Sequence, residues 1–347
     1  MLLSTPVRLS VLDQSPIAEG STGSQALQNS LDLARLADSL GFHRYWVAEH
    51  HGSPMLAGAS PEVLIGPIAS ATSQIRVGSG GVMLPHYSPF KVAESFSMLS
   101  GLFPDRIDLA VGRAAGTDPI TTFALQRDRR QAAPDDFPEH LAELLSYLDG
   151  SLPAGHRFSR LANLPGRPER PEPWLLGSSP QSGLWAAELG LPYAFADFIN
   201  PAGGESAARY RQSFVPSSWR TQPHVIVAVW VVCADTTEEA ERLASSAAMA
   251  FTLLHRGELI PVPTVERALR FLDDDPQRVQ SRAGVLGFRP PRRRRIVGTP
   301  ERVRAGIEQV VAEYGADEAM VVTITHNHQA RRRSYELLAR EFGLSSR

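Results

Sequence analysis

Short apolar runs alternate along the chain with longer stretches of helical periodicity. The runs have the length and the flanking turn residues of buried strands, and between them apolar residues recur every three or four positions, as in a helix packed on a sheet. In the first unit a strand is followed by helical spacing over residues 27–40, and Gly41 then provides a stop. The pattern predicts strands at 7–13, 45–48, 75–80, 107–111, 174–176, 193–196, 225–232 and 319–324.

Eight strands alternating with helices over 347 residues favour an α/β protein with a (β/α)8 TIM barrel. The alternation alone leaves a doubly wound open sheet as an alternative. Two intervals are too long for a plain unit, so we predict irregular insertions after strands 4 and 7, at about residues 114–172 and 255–298. Insertions of this kind are usually lids or binding loops. We expect residues 1–347 to form a single domain.

The composition excludes several classes of protein. With 43% hydrophobic and 21% charged residues the chain can bury a large core, and its net charge of -2 predicts no general affinity for nucleic acid or anionic membranes. Cys233 is the single cysteine, so no intramolecular disulfide can form. The first residues lack the features of a signal peptide, and no apolar stretch is long enough to span a membrane. We therefore expect a cytoplasmic protein.

The cluster Glu49-His50-His51 follows the second predicted strand. In a parallel α/β protein this places it at the carboxyl ends of the strands, where active sites form. It could hold a metal, act as an acid or base, or be structural, and His326 and His328 could complete a metal set with His50. Adjacent strand residues point in opposite directions and rarely ligate one ion, so we predict no metal and one imidazole directed into the site.

Three glycines, Gly78, Gly80 and Gly81, crowd the end of the third predicted strand. Glycine weakens a strand, so a backbone or ligand that approaches closely would explain the cluster, and a bulge or tight turn is the alternative. A dinucleotide fingerprint fits poorly because Met83 stands where its third glycine should be.

A phosphate site is better supported at residues 176–183, where a predicted strand joins a predicted helix through small and hydroxyl residues. Backbone N–H groups at a helix start favour an anion, although ordinary serine capping explains the same residues. Arg113, after the fourth predicted strand, could supply a charged partner or belong to a surface ion pair.

Four segments together resemble the bacterial luciferase-like flavin monooxygenase family. They are 45–51 (Tyr-Trp-Val-Ala-Glu-His-His), 77–85 (Val-Gly-Ser-Gly-Gly-Val-Met-Leu-Pro), 104–113 (Pro-Asp-Arg-Ile-Asp-Leu-Ala-Val-Gly-Arg) and 185–192 (Trp-Ala-Ala-Glu-Leu-Gly-Leu-Pro). The resemblance is closest to compact, non-luminescent members of the alkanal monooxygenase type. It extends from about residue 7 to the C-terminal helix and is weakest over residues 204–294.

The resemblance implies a barrel that binds flavin mononucleotide (FMN) at the carboxyl ends of its strands, with the flavin ring against the third strand. The family has a non-proline cis peptide there, which corresponds to the Gly80-Gly81 or the Gly81-Val82 bond. The phosphate would be held by Ser178, Ser179, Ser182, the Gly183 amide and Arg113.

The family's active-site histidine corresponds to His50, which would exchange a proton with the flavin peroxide or the substrate. Glu49 and His51 would orient it or pack behind it. Asp13, Glu49 and His326 are second-line residues of the substrate pocket in this interpretation.

The mechanism implied by the resemblance starts when reduced flavin and O2 form a C4a-(hydro)peroxide, which then oxygenates a small organic substrate. A lid would exclude water, and the basic run at 291–295 is either part of it or a solvated loop. No nicotinamide-binding unit is evident, so a separate NAD(P)H:flavin reductase would supply reduced flavin. A homodimer, formed through the second and third β/α units, is a family expectation.

Two other functions stay open at this point. One is an oxidoreductase of the same superfamily that uses the deazaflavin coenzyme F-420 for hydride transfer. The other is a non-catalytic flavin-binding protein that keeps the pocket and has lost the chemistry.

Overall fold

Eight parallel strands close into a barrel in the computed structural model, which describes residues 7–114, 117–126, 129–130, 135–161, 170–274 and 294–345. The strands pair in chain order from β1 to β7, and the last strand, β9, lies between β7 and β1. The predicted (β/α)8 barrel is confirmed. The barrel strands are β1 Arg8–Asp13, β2 Arg44–Val47, β3 Arg76–Met83, β4 Ile107–Gly112, β5 Glu172–Gly177, β6 Tyr193–Ala196, β7 Val225–Cys233 and β9 Glu318–Val322.

Helices surround the barrel, and their ends follow from local sequence. Helix α1 begins after Thr22, whose side chain accepts a hydrogen bond from the Gln25 N–H, and ends at Gly41 with a positive φ of 84°. The other helices are α2 Pro61–Ala71, a short 3₁₀ helix Leu84–His86, α3 Pro89–Leu102, α4 Pro119–Leu125, α5 Phe137–Asp149, α6 Pro180–Glu188, α7 Gly204–Ser213, α8 Thr237–His255, α9 Val265–Asp274, α10 Pro300–Tyr314 and α11 His328–Glu341, with α1 at Gly23–Leu40.

The two predicted insertions follow β4 and β7, but their described parts contain regular elements, so the expectation that they are irregular was wrong there. The first interval contains helices α4 and α5. The second contains helix α9 and a short strand outside the barrel, β8 Ile296–Gly298. Helix α5 buries Phe137, Leu141 and Leu148 at helical spacing, which is why this segment is ordered against α3. Strand β8 pairs with the end of β7 beyond the barrel. Residues 115–116, 127–128, 131–134, 162–169 and 275–293 lie outside the described residues. Of the basic run 291–295, Arg294 and Arg295 are described and form ion pairs with Glu313 at 2.8 Å and with Glu241 at 2.7 Å, while the preceding part of the predicted lid segment, 275–293, lies outside.

Strand alternation divides the interior into two cores. Leu9 and Val11 of β1 pack against the surrounding helices, and Leu12 points into the barrel. On β2, likewise, Tyr45 faces the helices and Trp46 faces the barrel interior. Residues two apart therefore share a core, and neighbouring residues belong to different ones.

Buried charges fill the amino-terminal end of the barrel. Arg44, at the start of β2, donates from Nη1 to Asp108 Oδ2 at 2.7 Å and from Nε to Glu318 Oε2 at 3.3 Å. Because these side chains are buried and paired, the layer closes the end of the barrel opposite the carboxyl ends of the strands.

Within the described residues, no helix combines the length and the apolar character needed to cross a membrane.

Candidate active site

A cavity of about 430 Å³ opens at the carboxyl ends of the barrel strands. Its size is typical of a small-molecule or cofactor site. Seven of the residues predicted from sequence line it: Glu49, His50, Gly80, Arg113, Ser178, Ser179 and Ser182. Residues that the sequence analysis did not single out also line it, among them Gln14, Trp46, Trp185, Phe198, Ile199 and Met320.

His50 lies in the wall of this cavity and His51 does not. The His50 N–H donates to Gly58 O at 2.8 Å, and its ring Nε2 is 3.3 Å from the side-chain amide nitrogen of Gln14. His51 turns to the Glu49 carboxylate at 2.7 Å and stacks edge-on against His86, with 5.7 Å between ring centroids. The two adjacent imidazoles therefore have different surroundings, as expected from strand geometry.

Glu49 is 1% exposed, although the residue is part of the cavity wall. Its carboxylate accepts hydrogen bonds from the Met83 N–H and the Tyr87 hydroxyl, both at 3.0 Å, as well as contacting His51. Burial, together with the charge of Glu49, raises the pKa of Tyr87 well above its usual value, so that the hydroxyl remains a donor.

The end of β3 forms a glycine shelf, by which we mean Gly80 and Gly81. The peptide bond between them is cis, which confirms the first of the two expected positions. The β3–β4 pairing shifts register between Gly80 and Val82, so a bulge is present as well. A Cβ on Gly80 would lie 2.5 Å from Leu12 Cδ1, and one on Gly81 would lie 2.7 Å from Ala110 O. The Ala110 backbone cannot move aside, so the Gly81 position requires glycine, whereas at Gly80 the Leu12 side chain would have to shift. Gly81 does not line the cavity. Val82 is buried in the outer core and does not line the cavity.

The serine loop, residues 178–182, enters helix α6 beside the same cavity. Ser179 occupies the N-cap position, but its side chain makes no capping hydrogen bond. Ser182 Oγ donates to Ser179 O at 2.8 Å, and the side chain of Asn200 donates to Ser178 O at 2.9 Å, so the loop is held from both sides. Gly183 is buried beside Tyr193 and is not part of the lining.

Arg113 borders the cavity at its outer edge. Its side chain is 51% exposed, pairs with Asp135 at 3.1 Å and lies over the Trp185 ring at 5.7 Å from the centroid. Arg113 therefore belongs to a surface ion pair and also lines the same cavity as the serine loop, and its role as a partner of a phosphate stays a prediction.

Asp13 and His326 do not line the cavity, which corrects their assignment to the substrate pocket. Asp13 is buried behind β1 and accepts from Arg331 Nη2 at 2.6 Å and from the Tyr45 hydroxyl at 2.5 Å. Burial would raise the pKa of Asp13, but Arg331 and the hydroxyl donors outweigh it and hold the pKa below its usual value. His326 contacts Glu19 O at 3.1 Å.

The described residues contain no group of three His, Cys, Asp or Glu side chains that could hold a metal ion. His328, which could have joined His326 in a metal set, instead contacts Asp32 at 2.8 Å.

Gln14 is the main polar residue that the sequence analysis missed. It follows Asp13 at the end of β1. Like Leu12, two residues earlier, it lies on the side of the strand that faces the barrel interior. The signal that could have identified it is this two-residue spacing from Leu12, but the sequence does not show which side of β1 faces the barrel interior.

A family model described as luciferase-like monooxygenase matches residues 7–318. The chain belongs to this family. It is 37% identical over 337 residues to the N-acetyl-S-alkylcysteine monooxygenase of Bacillus subtilis, covering 96% of this chain and 97% of the relative. It is 41% identical to apo-MsnO8, with a TM-score of 0.88 and 99% of both chains covered.

A more distant structure shares the fold. It is the oxygenating constituent of the 3,6-diketocamphane monooxygenase of Pseudomonas putida, solved with FMN, which is 19% identical with a TM-score of 0.70 and covers 97% of this chain and 98% of its own. This distant likeness supports the barrel fold alone, and membership of the family rests on the family model and on the relative from Bacillus subtilis.

Proposed function

We propose that the protein is a two-component flavin-dependent monooxygenase, which uses reduced FMN and O2 to oxygenate a small organic substrate. A separate NAD(P)H:flavin reductase supplies the reduced flavin. One observation carries the proposal: one cavity is lined by Gly80 of the glycine shelf, by serines of the serine loop, by Arg113 and by His50. Family membership supports an enzyme of this class.

The residues of the cavity fit a flavin nucleotide. Gly80 lines the cavity and has no side chain, so the end of β3 presents bare backbone there. The start of α6, with an uncommitted Ser179 side chain, suits a phosphate, and Arg113 adds a positive charge. When bound, reduced FMN supplies the electrons that activate O2.

The Gln14 side-chain NH2 donates to His50 Nε2 and so orients the ring, which leaves the proton of the neutral imidazole on Nδ1. Nε2 can take up a proton when the contact with Gln14 is released. The apolar side chains of Phe198, Ile199 and Met320 keep water away from the reacting atoms. They also favour a substrate whose reacting end is uncharged. Because a relative is an N-acetyl-S-alkylcysteine monooxygenase, thioethers are the first substrates to assay.

The test is an anaerobic titration with reduced FMN, followed by admission of O2. We expect binding with one flavin per chain and a transient species that absorbs in the near ultraviolet. Tight binding of F-420 without binding of FMN would instead support the deazaflavin-dependent oxidoreductase. Binding of FMN with no oxygen-dependent product from any thioether or aldehyde would favour a non-catalytic flavin protein.

We also propose a homodimer formed through α2 and α3. These helices pack side by side and present Val63, Met98 and Leu102 to solvent. The single-domain organisation, the lid and the cytoplasmic location stay predictions.

A further inference from the structure

The Glu49 carboxylate joins three elements at the rim of the barrel. Its Oε2 accepts the Met83 N–H at the end of β3, and its Oε1 accepts from His51, which follows β2, and from Tyr87, which follows the 3₁₀ helix. All three contacts are 2.7–3.0 Å long, and the carboxylate is buried. Removing a partner from a buried charge of this kind costs free energy of folding, because a buried polar group is left unsatisfied.

The Met83 contact lies beyond the end of the β2–β3 backbone ladder. The β2–β3 ladder runs from Arg44 with Arg76 to Val47 with Ser79 and stops immediately before the glycine shelf. On the other side of β3, the pairing with β4 shifts register at the shelf. Beyond Ser79 the backbone ladder no longer joins β2 and β3. The hydrogen bond from the Met83 N–H to the Glu49 side chain links the two strand ends instead.

We propose that Glu49 is a positioning residue that fixes the glycine shelf relative to the strand end carrying His50. The inference rests on the proposed function, in which the shelf receives the flavin ring. It differs from the expectation that Glu49 orients His50 or packs behind it. Met83 is itself part of the cavity wall, so the distance between shelf and histidine depends on this contact.

The chemistry of the partners requires a carboxylate. The Met83 N–H and the Tyr87 hydroxyl both donate, and His51 Nε2 donates when it faces a carboxylate oxygen. A glutamine has the same shape as Glu49 but offers only one accepting atom. Its NH2 group would face either the Met83 N–H, which cannot accept and would be left unsatisfied, or the Tyr87 hydroxyl and His51, which would then have to accept instead of donate.

The test compares Glu49→Gln with two controls. Glu62→Gln changes a carboxylate in α2 that lies close enough for the Glu49 charge to contribute to its raised pKa, after the larger effect of burial. Tyr87→Phe removes one donor from Oε1 and leaves the Met83 contact intact. Two quantities are measured: amide hydrogen exchange of residues 80–84 in flavin-free protein, and FMN affinity from quenching of tryptophan fluorescence, since Trp46 and Trp185 line the cavity.

In Glu49→Gln we expect the Met83 amide to exchange about tenfold faster or more, and the Kd for FMN to rise by about the same factor. Both controls should stay within about twofold of the wild type in both measurements. Wild-type exchange at Met83 together with wild-type FMN affinity in Glu49→Gln would overturn the inference.

If the Glu49→Gln variant does not fold, Glu49→Asp is used for the same two measurements. Aspartate keeps the charge but is one methylene shorter, so it should also release the Met83 amide, and unchanged exchange there would equally overturn the inference. A different result would show that the proposed function is wrong. In that case the wild type itself does not bind FMN, and the exchange measurement still decides whether Glu49 fixes the end of β3.

Discussion

Glu318 should make the folded protein sensitive to acid in a defined range of pH. It begins β9, is fully buried, and accepts hydrogen bonds from Arg44 Nε at 3.3 Å and from the Ser10 hydroxyl. Burial would raise the pKa of Glu318, but Arg44, with contributions from His224 and Ser10, outweighs it and lowers the pKa to about 2. The ordinary value is 4.5.

The sign of the effect follows from this depressed pKa. The stabilisation from Glu318 is fully present above the unfolded-state pKa of 4.5 and is lost as the pH falls from there to about 2. The gap between the two values corresponds to about 3 kcal/mol in the free energy of unfolding. Breaking a buried ion pair by removing one partner typically costs a similar amount, about 3–5 kcal/mol.

The assay is urea denaturation of the flavin-free wild type and Glu318→Gln at a series of pH values. Near neutral pH the variant should be less stable by about 3 kcal/mol, and the difference should shrink steadily below about pH 4.5. The control is Glu308→Gln, which removes an exposed pair with Arg304 on α10 and should change stability by less than about 1 kcal/mol. A difference between wild type and Glu318→Gln that stays constant down to about pH 3 would refute the reasoning.

Three further predictions concern the site and the assembly. His50→Ala should lower turnover by about 10²–10⁴ and leave the Kd for FMN unchanged in a fluorescence titration, and equal loss of FMN binding would contradict an acid/base role. Arg113→Ala should weaken FMN about tenfold in the same titration but leave riboflavin, which lacks the phosphate, almost unaffected, and equal weakening of both would argue against a phosphate contact. Leu102, on α3, is 69% exposed, so Leu102→Asp should convert a dimer to a monomer in sedimentation, and an unchanged mass would exclude this face as the interface.

The sequence predicted the barrel because each barrel strand is an apolar run bounded by turn residues. It failed where an element lacks that signal. Strand β8 has only three residues, and it is a strand because the long β7 extends beyond the barrel and offers a pairing edge. Helix α8, at Thr237–His255, buries mostly alanine and serine with few large residues, so its apolar periodicity is weak. In both cases contacts with elements far away in the sequence determine the secondary structure.

The same reasoning explains why His50 was assigned to the cavity and Asp13 was wrongly assigned there. Along β1 the outward residues are Leu9, Val11 and Asp13, and along β2 the inward series that ends at His50 begins with Trp46. In a parallel barrel both sides of a strand are apolar, so alternation fixes which residues share a side without showing which side is inward. For β2 the family resemblance supplied that choice.

For β1 the neighbouring sequence does not show which side faces inward, because a carboxylate at a strand end fits a ligand site as well as a buried ion pair. The residue that decides is Arg331, 318 positions further along the chain, whose guanidinium donates to Asp13 from α11. Once that pair is known, Asp13 must face the helices and Gln14 must face the cavity. The polar group that β1 contributes near His50 is therefore a neutral amide. A neutral amide can hold an imidazole in place without adding a charge that would disfavour the uncharged substrate proposed for this site.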